Sequence, residues 1–420
     1  VSYDLLASRL AGGHGFTFPT DWWPLVKAGE PTAFWSYLYT VFLAVLYRFA
    51  GHAPLLARLV QAVAVGLLTP WFTHRVGKRA MGESVGIAAA AISSVYLYFV
   101  TYAASLMTEA FYIVAILWTL DAAMRLLQCL HTGRPQQGTR QLVLHGLELG
   151  LAMGITLLLR QAIVGFWVVL AIWLVFTAWR LHSLRRLRIP VLVSAVALLL
   201  VLSPAILHNY QLFQRLTMPN TNAGIAFFWA NHPIYGTRFE AVLSPEHGVT
   251  YQELIPPELR DLDEAALDRA LLLLGLQFIL DDPVRYFKLC LSRIPVYFLF
   301  WPTADSTTLS NLSRVLSFGL CLPFMALGVV LAVHRLVSRA SSPELLARQA
   351  GRGSSPHQSD FCDEFVSLLL LFCLTYTLIH LASWANVRYR LPVDAVLIMF
   401  AAYALRQLWL WCQAARQRTL

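Results

Sequence analysis

The chain has 420 residues, 58% of them hydrophobic and only 13% charged, whereas soluble domains carry about a quarter charged residues. Apolar runs of about 20 residues, the length that crosses a bilayer, recur along it, so a soluble globular domain is excluded. The net charge of +9 comes from 32 Lys and Arg against 23 Asp and Glu, placed in short basic clusters between apolar runs; this is the pattern of cytoplasmic loops, not of a nucleic-acid surface.

The chain opens at Val1 on an amphipathic stretch in which Tyr3, Leu6, Ala7 and Leu10 share one helical face. Ser36 to Ala50 is apolar but reaches only about 22 Å as a helix, short of the hydrocarbon core, and reads as a juxtamembrane helix. Spans follow at 55–73, 85–107, 110–128, 143–159, 162–178 and 190–207. A long polar segment then runs from His208 to about Arg285. Tyr286 to Trp301, short and carrying Arg293 and Pro295, reads as a second juxtamembrane helix, and spans resume at 315–334, 366–384 and 391–411. The expected fold is therefore all-α, a polytopic helical membrane protein of about nine spans. It divides into a first-loop region 1–54, a six-span module 55–207, a loop region 208–314, and C-terminal spans 315–420 with a cytoplasmic loop at 338–362. Within that loop, Ser341 to Asp360 is rich in Ser, Gly and Arg and reads as a flexible linker.

Five basic clusters test the count: His74 to Arg79, Arg125 to Arg140, Arg180 to Arg188, Arg335 to Arg352, and Arg406 to Arg418. With nine spans all five share one face, which the positive-inside rule makes cytoplasmic. The opposite face then holds residues 1–54, Thr108-Glu109, Arg160-Gln161, the 208–314 loop and Asn386 to Arg390. This predicts an inner-membrane protein whose working face is periplasmic. The six cysteines form no CxxC pair and have no His at metal spacing, so they read as small buried hydrophobes and not as metal ligands.

Several polar residues on the working face invite two readings each. Glu109 is either a helix N-terminal acid beside the capping Thr108 or a site residue. Arg160 sits between two spans against the charge bias; it is either a snorkelling side chain or a partner for a phosphate. Arg388 and Arg390 flank Tyr389 at the start of the last span, as interfacial anchors or as ligand contacts. Asp4 and Glu30 are candidate general bases or solvated surface acids. The stretch Pro219 to Pro233, with Asn231 and His232, offers hydrogen bonds and stacking faces for a sugar, or ordinary turn chemistry.

In order, these stretches resemble the GT-C glycosyltransferases of the bacterial protein-mannosyltransferase and aminoarabinose-transferase type. The resemblance runs through Tyr3 to Phe16, Phe34 to Tyr47, Arg58 and Gln61, Thr108-Glu109, Leu159-Arg160, His208 to Tyr210, Asn231 to Pro233, and Arg388 to Pro392. It implies a sugar donor carried on polyprenyl phosphate, a phosphate held by basic residues, and an extracytoplasmic acceptor whose proton goes to a carboxylate. That acceptor is an envelope lipid, glycan or protein. Glu109 and Asp4 are then the catalytic acids, and Tyr3, Lys27, Glu30, Arg160, His208, Asn231, His232, Arg388 and Arg390 contact substrate. A divalent metal enters where such enzymes use one. The resemblance also places a first span and a loop acid ahead of Tyr3, so the chain reads as an N-terminally truncated ten-span protein. A lipid-linked sugar flippase is the rival reading, predicting internal repeats and mid-span charges. A non-catalytic envelope-assembly subunit is another.

Overall fold

The computed structural model describes residues 2–22, 26–132, 138–304, 306–340 and 358–418. Two short helices, α1 (Ser2–Ala11) and α2 (Tyr37–Ala50), precede the long α3 (Pro54–Met81). Next come α4 (Glu83–Val95), α5 (Leu97–Ala103), α6 (Glu109–Thr132), α7 (Gly138–Leu159), α8 (Val164–Arg180) and α9 (Leu184–Phe213). The polar segment folds around α10 (Ala223–Asn231), α11 (Glu264–Asp281) and α12 (Pro283–Tyr297). The chain then returns through α13 (Thr308–Arg314), a π-helical turn at Val315–Gly319 and α14 (Leu320–Ala340), and ends with α15 (Gln358–Ala382) and α16 (Val387–Arg418). Among the described residues eight helices are long and apolar enough to cross a membrane, or nine if α4 and α5 count as one broken span.

That break departs from the continuous span expected over 85–107: α4 and α5 meet at 57°. Ser93 and Ser94 both turn their hydroxyls onto the carbonyl of Ala90, at 2.8 and 2.9 Å. Such back-bonding weakens the helical ladder and bends it, and the chain straightens at Tyr96 before resuming. The two short apolar stretches form α2 and α12, and neither is long enough to count as a span.

Helices in lipid gain little from hydrophobicity against one another and rely on close approach. Gly146, Gly150 and Gly154 recur every fourth residue on α7 and face α9; a Cβ at Gly150 would fall 2.3 Å from the Ser194 carbonyl oxygen. Ser194 exploits the proximity by donating to the Gly146 carbonyl at 2.8 Å.

The helix ends sort into two faces. At one, Arg180 pairs with Glu364, Arg335 and Arg339 with Asp363, and Arg186 with the Leu130 carbonyl. Nearby, Arg75, Arg79 and Arg125 converge on the buried Asp121. At the other, Ser36 bonds the Leu158 carbonyl, Gln161 bonds Asn222, and Tyr286 bonds the Ala382 carbonyl. The loop fold of α10 to α12 and the first-loop helices therefore close over the same end of the bundle.

Candidate active site

Glu109 opens α6 at the face opposite the arginine-rich one and is 3% exposed. The turn that delivers it is held by Gln61 of α3. Its amide nitrogen donates to the carbonyls of Tyr102, Ala103 and Ser105 at 3.3, 2.9 and 2.7 Å, and its oxygen accepts from the Tyr39 hydroxyl at 2.7 Å. The broken span ends in this turn, and one buried amide ties three of its carbonyls to α3.

Arg160 lies in extended backbone between α7 and the short 3-10 turn Gln161–Ile163. Its Nη1 sits 3.2 Å from Glu109 Oε1. Arg388, in the first turn of α16, brings Nε to 3.8 Å from the same oxygen. Two guanidiniums thus share one carboxylate, an excess of one positive charge. Among the described residues Arg388 Nε is buried without a hydrogen-bond partner, leaving a donor for something else. Both guanidiniums lie against the Tyr389 ring, Arg160 at 4.7 Å and Arg388 at 5.0 Å from its centroid, and Arg388 Nη2 donates to the Tyr389 hydroxyl at 3.1 Å. Tyr3 completes the group from α1: its ring packs edge-on against Tyr39 at 5.0 Å, and its hydroxyl bonds Thr108. Burial pushes the Tyr3 phenol up to about 12 against the pull of Arg160, so it keeps its proton and serves as a donor.

Tyr3, Glu109, Arg160 and Arg388 therefore converge, and the other residues singled out in the sequence sit elsewhere. Asp4, one residue from Tyr3, faces away and accepts from Tyr47 Oη at 2.5 Å and pairs with His52 Nε2 at 3.0 Å. Lys27 and Glu30 are exposed on a turn at Gly29. His208 packs between Phe16 and Tyr37. Asn231 is fully buried and spends its side chain on Arg293 at 2.8 Å and on the Phe227 carbonyl at 2.8 Å. His232 accepts from the Ile234 amide at 3.2 Å and is wedged between Phe228 and Phe278. Burial, with help from Arg285, lowers its pKa to about 4. Arg390 is fully buried and pairs with Asp394 at 2.9 Å. Asp4, expected as a catalytic acid, and Asn231, His232 and Arg390, expected at substrate, each have a protein partner in the fold.

Two groups at the site were not singled out. Tyr389 entered only as an interfacial anchor. His380, whose ring stacks on Tyr389 at 5.0 Å, stands inside the apolar run 366–384. An ionisable side chain at such a position is itself a functional signal.

A divalent metal does not fit this donor set. Among the described residues no three His, Cys, Asp or Glu side chains gather as a ligand group, and Glu109 already faces two guanidiniums that would repel a cation.

No protein-family model and no curated protein sequence matches the chain. Solved structures do. The oligosaccharyltransferase AglB of Archaeoglobus fulgidus, in complex with an inhibitory peptide and a dolichol-phosphate, superposes over 100% of this chain and 47% of its own, with a TM-score of 0.55 at 15% identity. The apo oligosaccharyltransferase of the same organism gives a TM-score of 0.58 at 14% identity, again over 100% and 47%. ArnT from Cupriavidus metallidurans, bound to undecaprenyl phosphate, matches 91% of this chain and 72% of its own at 13% identity and a TM-score of 0.36. The chain spans just under half the length of the oligosaccharyltransferases it superposes on. At 14–15% identity this likeness shows that the chain shares the helical membrane fold of these oligosaccharyltransferases.

Proposed function

We propose that the protein is a glycosyltransferase that moves a sugar from a polyprenyl-phosphate carrier to an extracytoplasmic acceptor. The observation that carries this is the cluster of Arg160 and Arg388 on Glu109, positively charged overall and built where the short helices close over the bundle. Guanidiniums pair well with phosphate oxygens, and a pair 22% and 33% exposed is suited to a phosphate at the membrane border.

In this reading the carrier phosphate draws Arg160 and Arg388 toward itself and away from Glu109 Oε1. The acceptor's nucleophilic atom attacks the anomeric carbon. The bond from that carbon to the phosphate oxygen breaks, and the electron pair leaves with the phosphate, whose growing charge the two guanidiniums stabilise. The acceptor's proton passes to the Glu109 carboxylate, freed of its cationic partners. Tyr3 donates a hydrogen bond from the α1 side. The arginine-rich face is cytoplasmic by its charge, which puts the cluster on the periplasmic side of the inner membrane. The polyprenyl carrier is consistent with the dolichol-phosphate and undecaprenyl phosphate held by AglB and ArnT.

The test is transfer from a panel of radiolabelled carrier-linked sugars by the protein in lipid nanodiscs, with Glu109→Gln as the control. Transfer by the parent and none by the variant supports the reading; equal turnover removes Glu109 from the reaction. Orientation is tested separately. A cysteine at the exposed Leu216 should react with an impermeant thiol reagent added to whole cells, whereas the exposed Cys412 at the other end should react only after lysis. The reverse pattern overturns the assignment of faces.

A further inference from the structure

We propose that His380 is a positioning residue for the phosphate clamp and acts through the Tyr389 ring; this rests on the reading of Arg160 and Arg388 given above. His380 is 6% exposed, in the last turn of α15. Its Nδ1 lies 3.3 Å from the Trp384 carbonyl oxygen. A carbonyl oxygen only accepts, so Nδ1 carries the proton. Among the described residues Nε2 is buried with no hydrogen-bond partner. In the neutral tautomer that this bond selects, Nε2 is a lone pair.

The imidazole packs among three tyrosine rings. Tyr389 stacks on it at 5.0 Å with 20° between planes, and Tyr297 of α12 stacks at 6.1 Å with 22°. Tyr376 meets it edge-on at 4.7 Å. The Tyr389 plate in turn carries both guanidiniums. The plate is thus the surface against which Arg160 and Arg388 are spaced, and His380 fixes its plane. The Nδ1 bond stops the imidazole from rotating, and Tyr297 backs it from α12, whose Arg293 also bonds the Leu381 carbonyl at 2.9 Å. Planar backing by a neutral ring, not charge, is the property that this position supplies. A guanidinium pair held at fixed spacing loses less freedom when it grips a phosphate.

The experiment compares binding of undecaprenyl phosphate with binding of undecaprenol, which lacks the phosphate, by the protein in nanodiscs. The parent should prefer the phosphate. His380→Ala should shrink that preference at least tenfold while undecaprenol binding stays within threefold, and His380→Phe, which keeps the plane, should restore the preference to within threefold of the parent. If His380→Ala does not fold, His380→Leu, which keeps bulk and loses the plane, makes the same comparison. Full preference in the Ala or Leu variant, an equal loss of both ligands, or a Phe variant as impaired as Ala each overturns the proposal. A parent that shows no preference for the phosphate sinks the clamp itself, and this inference with it.

Discussion

Arg388 and Arg390 lie within one turn of α16, and their guanidiniums meet different surroundings. Arg390 is sealed inside the bundle. Nε pairs with Asp394 at 2.9 Å, Nη1 donates to the carbonyls of Tyr297 and Leu299 at 2.8 and 3.3 Å, and the group lies 3.4 Å from the Phe318 ring centroid. Asp394 also accepts from the Tyr96 hydroxyl at 2.8 Å. One cation meets one anion, and the pair ties α16 to the broken span and to the end of α12. Arg388, with a third of its side chain exposed, competes with Arg160 for a single carboxylate. Among the described residues Arg390 Nη2, like Arg388 Nε, is buried without a hydrogen-bond partner, so the two differ in charge balance: a charge-balanced network fixes structure. An open one with surplus positive charge is incomplete until an anion joins it, and this difference separates scaffold from site.

Mutations should split along the same line. The largest loss of stability is expected at Asp394→Ala, which strands a buried guanidinium and should cost about 3–5 kcal/mol, read as a collapse of the monodisperse fraction on heating in detergent. Replacing both partners, Arg390→Leu with Asp394→Leu, should recover most of that, because an apolar pair avoids the stranded charge. Equal damage in the single and double variants would mean that the pair itself is not the source. Glu109→Gln, whose two guanidinium neighbours are partly exposed, should cost less stability than Asp394→Ala and lower transfer by roughly 100-fold or more. A smaller effect is expected at Arg388→Ala: weaker binding of undecaprenyl phosphate by about tenfold, as for one lost hydrogen bond to a charged group. A destabilised Arg388→Ala with intact phosphate binding would erase the distinction between the two arginines.

The spans were legible because apolar runs of about 20 residues have one meaning in lipid, where every backbone group must be satisfied within the segment. The convergence of Tyr3, Glu109, Arg160 and Arg388 was legible as well, since each sits at a span end on the sparsely charged face. The role of Arg390 was not. A sequence shows an arginine but not whether its anion is Asp394, four residues on, or a ligand. Nor does the sequence show that Asn231 bonds Arg293, 62 residues away. The break at Tyr96 had a signal in Ser93-Ser94, but two serines within an apolar run cost a helix too little to mark a boundary on their own.

The smallest effects belong to the loop fold over the site, where two groups titrate in opposite senses. Asp268 of α11 accepts from the Ile225 amide, and burial raises its pKa from 3.8 to about 6. Between those values the folded chain holds more protons than the unfolded one, so this group makes stability fall as pH rises from about 4 to 6. Glu264, raised by its own burial, adds the same sign. His232 is lowered from 6.5 to about 4; there the unfolded chain holds more protons, and stability rises over nearly the same window. Asp268→Asn, whose amide oxygen can still accept from Ile225, should therefore gain on the parent as pH climbs from 4 to 6. His232→Phe should lose ground on the parent over the same climb. Thermal midpoints of the three proteins across that range decide it: two difference curves of the same slope would show that these side chains do not carry the loop's response to acid.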